Sequence, residues 1–108
     1  MAYLESMAEF ILDNLSEFED ISTKKMFGAL AFYKGDVLFG AVMDDKFTLR
    51  AVAENESKYL SAGMIRHVIP GRKLKMPYFD VPIDVLEDRD ALIHWVKTSY
   101  DDSKKMNK

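Results

Sequence analysis

Lys24-Lys25-Met26-Phe27-Gly28-Ala29-Leu30-Ala31-Phe32-Tyr33-Lys34-Gly35-Asp36-Val37-Leu38-Phe39 is the stretch whose reading decides the fold. Met26–Tyr33 and Val37–Met43 are apolar at successive positions, so both faces of each strand are expected to be covered. Lys34-Gly35-Asp36 supplies the turn between them, with glycine available for positive φ. Asp44-Asp45 makes a second turn into Phe47–Ala51, where Phe47, Leu49 and Ala51 alternate with Thr48 and Arg50. That alternation predicts one core face and one solvated face. Three strands joined by short turns form an antiparallel meander.

Upstream, Leu4, Met7, Ala8, Ile11, Leu15 and Phe18 recur at steps that place them on one stripe of an amphipathic helix. Glu5, Glu9, Asp13 and Glu17 recur at every fourth position and form an acidic ridge beside the stripe. Like charges at this spacing weaken an isolated helix by about 0.2–0.5 kcal/mol per pair, so docking of the apolar stripe must hold it. Downstream, Glu54–Ala62 reads as a short helix with Tyr59 and Leu60 inward and Gly63 as its terminator. Ile65–Ile69 runs into Pro70-Gly71, a turn dipeptide, and then Lys73–Val81. Pro77 has no N–H to donate, which predicts an edge or broken strand there. Asp88 is placed to cap a last helix carrying Leu92, Ile93, Val96 and Tyr100, followed by a polar, frayed tail over Asp101–Lys108. The predicted class is α+β, an antiparallel sheet with helices in the order α-β-β-β-α-β-β-α, built as a single domain over residues 1–108.

Composition narrows the chemistry. There is no cysteine, which removes disulfides, thiolate nucleophiles and sulfur metal ligands, and is compatible with a reducing cytoplasm. The first twenty residues hold six acids and no Lys or Arg, the opposite of a signal peptide's basic start. No apolar run approaches the roughly 18 residues that cross a bilayer, so no membrane partner is expected and the protein is placed in the cytoplasm. His94 lies four residues after Asp90 on the last helix, and His67 sits in a strand between Arg66 and Val68. Neither has a companion nucleophile or second histidine in the pattern, so no catalytic residue is assigned. Asp44-Asp45 and Asp101-Asp102 lack the alternating ligands and terminal Glu of a calcium loop, and the glycines form no phosphate cradle. The chain is read as no enzyme, with no metal site and no cofactor. The methionines Met7, Met26, Met43, Met64 and Met76 are read as pliable core filler.

Two charged clusters remain. Lys24 and Lys25 enter the hairpin and could meet an anion or an acidic partner, or simply guard a strand end. Arg66, Arg72, Lys73 and Lys75 surround Pro70-Gly71 without an intervening acid, a candidate anion or nucleic-acid contact. The net charge of −3 and the lack of a stacking platform argue against direct nucleic-acid binding. Glu5, Glu9, Asp13 and Glu17, with Lys24 and Lys25, are the candidate partner-binding residues.

Lys25-Met26-Phe27-Gly28-Ala29, Tyr33-Lys34-Gly35 and Phe39, followed by Arg50, Gly63, Tyr78, Pro82 and Trp95, resemble the N-terminal domain of the TfoX/Sxy family of bacterial competence regulators. The resemblance implies an α-β₃-α-β₂-α fold similar to secretion chaperones. Ala29 stands where the family signature has a second glycine, and Lys25 where arginine is more usual. Full-length members carry a further C-terminal helical domain, and the resemblance covers only the first. It implies a non-enzymatic regulatory or protein-interaction module, linked to competence or transcription, with a protein partner. Two alternatives stand beside it: a small acidic homodimeric peptide-binding chaperone, and a nucleic-acid module using the Arg66–Lys75 hairpin.

Overall fold

A computed structural model describes residues 5–26, 28–68 and 77–106. Its elements are α1 (Glu5–Asn14), β1 (Ile21–Met26), β2 (Ala29–Lys34), β3 (Val37–Met43), β4 (Lys46–Arg50), a 3-10 turn (Ala53–Asn55), α2 (Glu56–Ser61), β5 (Ile65–Arg66), β6 (Tyr78–Asp80), α3 (Ile83–Leu86) and α4 (Arg89–Met106). The six strands form one antiparallel sheet in the order β1-β2-β3-β4-β6-β5. The α+β class is that predicted from the sequence, and the element order matches it roughly. The meander has four strands instead of three, the expected strand Met26–Tyr33 being divided at Gly28, and α3 is an additional helix.

The deciding stretch holds one strand more than its hydrophobicity suggests. β1 starts at Ile21, and Gly28 (φ +80°) reverses the chain before Ala29 opens β2 opposite Met26. Ser22, Thr23, Lys24 and Lys25 carry too little apolar character to signal a strand, because β1 is a sheet edge and these side chains are exposed. Ala29 is not among the residues with positive φ, so alanine in place of the signature's second glycine adds no backbone strain.

Between β2 and β3 the register slips. Phe32 faces Gly40 and Tyr33 faces Leu38, which leaves Phe39 as an extra residue on β3. Such a bulge turns Phe39 to the same side as Val42. On that face Leu30, Phe32, Phe39, Val42, Phe47, Leu49 and Phe79 build the core with Ala8, Ile11 and Leu15 of the N-terminal segment and Leu92 and Val96 of α4. Phe32 packs against Phe39 and Phe47 with ring centroids 6.3 and 5.7 Å apart. Each such ring, fully buried, stabilises the fold by about 1.5–3 kcal/mol. Gly40 is required where it stands: a Cβ there would lie 2.5 Å from the Thr48 carbonyl oxygen.

Several expectations are corrected. Thr48 does not face solvent: it is fully buried, and its hydroxyl donates to the Ala41 carbonyl at 2.8 Å. Arg50 is half-buried and donates to the Leu38 carbonyl at 3.3 Å, so β4 is covered on both faces. Of the two alternatives at Pro77 the edge is excluded, since β6 lies between β4 and β5, while β6 begins only after Pro77, at Tyr78; the Pro77 carbonyl accepts from Ala51 N–H at 2.9 Å. Leu60 points outward, while Tyr59 is buried as predicted. The strand expected over Lys73–Val81 is described only from residue 77, and the Pro70-Gly71 turn lies outside the described residues.

The tail is the largest correction. Asp88 caps α4 as predicted, accepting from Ala91 N–H at 3.2 Å, but the helix continues through Met106 instead of fraying at Asp101. Leu92, Val96, Ser99 and Ser103 follow one another along the face turned to the sheet, and Ser99, Asp102 and Ser103 are buried. Ser99 Oγ lies 2.7 Å from the carbonyl of the bulged Phe39 and 2.6 Å from that of Arg50, its single hydrogen serving one at a time. Asp102 accepts from Asn55 Nδ2 at 2.8 Å and from the Tyr59 hydroxyl at 3.2 Å. At Ser99 and Asp102 hydrogen bonding, not apolar burial, ties the helix to the fold, while the buried Ser103 Oγ has no hydrogen-bond partner among the described residues. An apolar-periodicity reading therefore ends at Tyr100.

Burial, and then the Asp102 carboxylate, push the Tyr59 hydroxyl above the ordinary tyrosine range. The folded chain thus holds a proton that the unfolded chain releases, and this contribution is present below about pH 10 and lost as pH rises past it. Urea titrations of the wild type should show stability falling above that pH, with a weaker fall in Tyr59→Phe. Asp102→Ala, which leaves Asn55 and Tyr59 without their acceptor, should cost about 2–4 kcal/mol in the same assay. Gly40→Ala should cost about 2–3 kcal/mol or more, because the obstructing atom is backbone.

Candidate interaction surface

α1 is short, its outer side carries acids together with the exposed Phe10 and Leu12, and the geometry of the acids follows from the helical repeat. Glu5, Glu9 and Asp13 are exposed and lie four residues apart on one side, while Ala8 and Ile11 are buried against the sheet. Glu17 is exposed too, but it stands past the helix end, so the ridge comprises three helical acids and one in the following turn. No Lys or Arg interrupts α1. The helix end is closed by Leu15 N–H to the Ile11 carbonyl at 3.0 Å and by Asn14 Nδ2 to the Phe10 carbonyl at 2.9 Å.

Lys24 and Lys25 project from the edge strand β1, exposed, at the opposite end of the sheet order from β5. A charged edge strand discourages pairing with another sheet. The hairpin tip is tied back, Gly35 N–H donating to the Asp20 carbonyl at 2.9 Å. Lys34 lies with its ammonium 5.0 Å from the Tyr100 ring centroid.

The basic cluster is described only in part. Arg66 is half-buried, pairs with the Glu56 carboxylate and lies 5.0 Å over the Phe79 ring. Its charge is engaged inside the fold. Arg72, Lys73 and Lys75 lie outside the described residues. His67 is buried, with Nδ1 2.7 Å from Asp80 Oδ1. The pair joins the loop after β5 to β6, alongside a backbone bond from His67 N–H to the Tyr78 carbonyl at 2.8 Å. His94 is exposed and touches Trp95 edge-on. Among the described residues no three His, Asp or Glu side chains come together to hold a metal ion. Among them, too, no helix is long and apolar enough to cross a membrane.

A family model of the TfoX N-terminal domain matches residues 13–103, which is most of the chain. The chain belongs to that family. The matched segment begins near the end of α1 and runs through β1–β6 to the buried Asp102 and Ser103 of α4. The acids Glu5 and Glu9 precede it, while Asp13, Glu17, Lys24, Lys25 and Arg66 fall inside. Among curated proteins, none matches the chain.

Sequence reasoning missed two kinds of residue. Asn55 and Asp102, which with Tyr59 fasten the C-terminal helix, are polar residues without a motif and are connected only by the fold. Phe10 and Ile83 are large apolar side chains left exposed by the sheet packing. Phe10 carried a signal, being a lone aromatic off the core stripe of α1.

Because the ridge makes no described contact to the core, Glu9→Lys with Asp13→Lys should leave stability within about 0.5 kcal/mol of wild type. A small gain is the favoured direction, since the Glu5–Glu9 repulsion becomes a Glu–Lys attraction while positions 9 and 13 stay like-charged. Thermal melts followed by circular dichroism measure it.

Proposed function

We propose that this TfoX N-terminal domain is a non-enzymatic regulatory module that works by capturing a protein partner, with the acidic ridge of α1 as its principal contact. The observation that carries the reading is the exposed row Glu5, Glu9, Asp13, continued by Glu17, with no basic residue on the helix to neutralise it. A row of carboxylates with no basic neighbour on its own helix raises the encounter rate with a basic surface and rejects acidic ones. Lys24, Lys25 and the Lys34-Gly35-Asp36 tip form a secondary contact region at the sheet edge. Membership of the family supports a regulatory role in general terms. Action in the cytoplasm and a link to transcriptional control of competence are part of the same proposal.

Affinity capture from native cytoplasm, comparing wild type with the Glu9→Lys, Asp13→Lys variant, tests it. The wild type should retain a basic partner that the variant loses, and retention should weaken as salt is raised across the physiological range. Equal capture by both proteins would sink the assignment of the ridge.

A further inference from the structure

Between α1 and α3 the surface opens into a groove of about 300 Å³ lined by Ser6, Met7, Phe10, Ile83, Leu86 and Glu87. Its walls hold two of the exposed large apolar side chains of the protein, Phe10 at 41% and Ile83 at 66% of full exposure. On α1 the apolar residues divide. Ala8 and Ile11 go down to the sheet, while Met7 and Phe10 turn toward α3. The helical repeat then fixes what borders the groove. Glu9 stands three residues beyond Ser6 and Asp13 three beyond Phe10, so the acidic ridge runs along the solvent side of this wall. Across the groove Glu87 lines the other wall, and Asp84 follows Ile83 on the exposed side of α3. Neither helix carries Lys or Arg.

We infer that this groove receives an amphipathic basic helix of a partner protein, its apolar side chains seated on Phe10, Ile83, Met7 and Leu86 and its Lys or Arg residues paired with Glu9, Asp13 and Glu87. The inference rests on the partner-capture reading above and names the partner's chemistry. Charge complementarity selects the occupant: an apolar floor between two acidic rims fits a helix whose apolar stripe is flanked by cations. A second copy presenting this same groove would set acids against acids. The volume is at the small end for a binding pocket, enough for the anchoring side chains of a helix and too little to enclose it.

The test measures fluorescence anisotropy of the 108-residue protein with two labelled peptides of the same leucine and lysine composition. One places Leu at i, i+3, i+4 and i+7 to form an apolar stripe; the other has a scrambled order. The striped peptide should bind at least about tenfold more tightly, the size of a single buried anchor's contribution. Phe10→Ser with Ile83→Ser should abolish that preference while leaving the melting curve near wild type, both side chains being exposed. Reversal at Glu9, Asp13 and Glu87 to Lys should weaken both peptides. Equal affinity for the two peptides, or a preference that survives the serine substitutions, overturns the groove. If charge reversal still abolishes binding in that case, the acidic ridge stands without it; if charge reversal changes nothing, the ridge fails as well. Dimerisation in sedimentation that disappears in the serine variant would give the groove to a second copy. A peptide preference seen only after removal of residues 1–4 would give it to the chain's own start. Either result overturns the assignment to a partner.

Discussion

At Phe39 the ladder between β2 and β3 carries one residue too many, and the rest of the molecule is arranged around that slip. The bulge turns Phe39 into the core beside Phe32, and its carbonyl meets the Ser99 hydroxyl of α4. The next residue must be glycine, because Gly40 passes too close to the Thr48 carbonyl for any side chain. The aromatic core and the seat of the C-terminal helix thus share one backbone irregularity.

α4 is attached in two chemically different ways. Leu92 and Val96 bury apolar surface against the sheet, whereas Ser99 and Asp102 bond to carbonyl, amide and phenol groups from distant parts of the chain. Apolar contact is tolerant of position, while a buried carboxylate with two named donors is not. The helix is therefore fixed in register along the sheet. The same attachment holds the 3-10 turn and α2 through Asn55 and Tyr59, and Tyr59 in turn packs on Phe79 and Trp95 at centroid distances of 5.6 and 5.0 Å.

The candidate surface follows from what this packing leaves over. Once Ala8, Ile11 and Leu15 have been claimed by the core, α1 still presents Met7 and Phe10 toward α3 and a row of carboxylates toward solvent. The acids were legible from their four-residue spacing in the sequence. The groove was not, because its second wall is α3, a four-residue helix too short for any periodicity to reveal. Arg66 shows the converse. In the sequence it belongs to a basic cluster, and in the fold it is drawn to Glu56 and Phe79, ten and more residues away.

By itself the sequence determined the class of fold, the meander through Val37–Met43, the core helices and the family, since these depend on local alternation, turn residues and short ordered motifs. It did not determine β1, whose polar edge carries no apolar signal, or the inward turn of Thr48. Nor did it disclose the helical course of Asp101–Met106. Those were decided by partners far apart in the chain: Ala41 for Thr48, and Asn55 and Tyr59 for Asp102. A polar side chain reads as solvated until the fold brings it a donor or an acceptor, and only the tertiary structure does that.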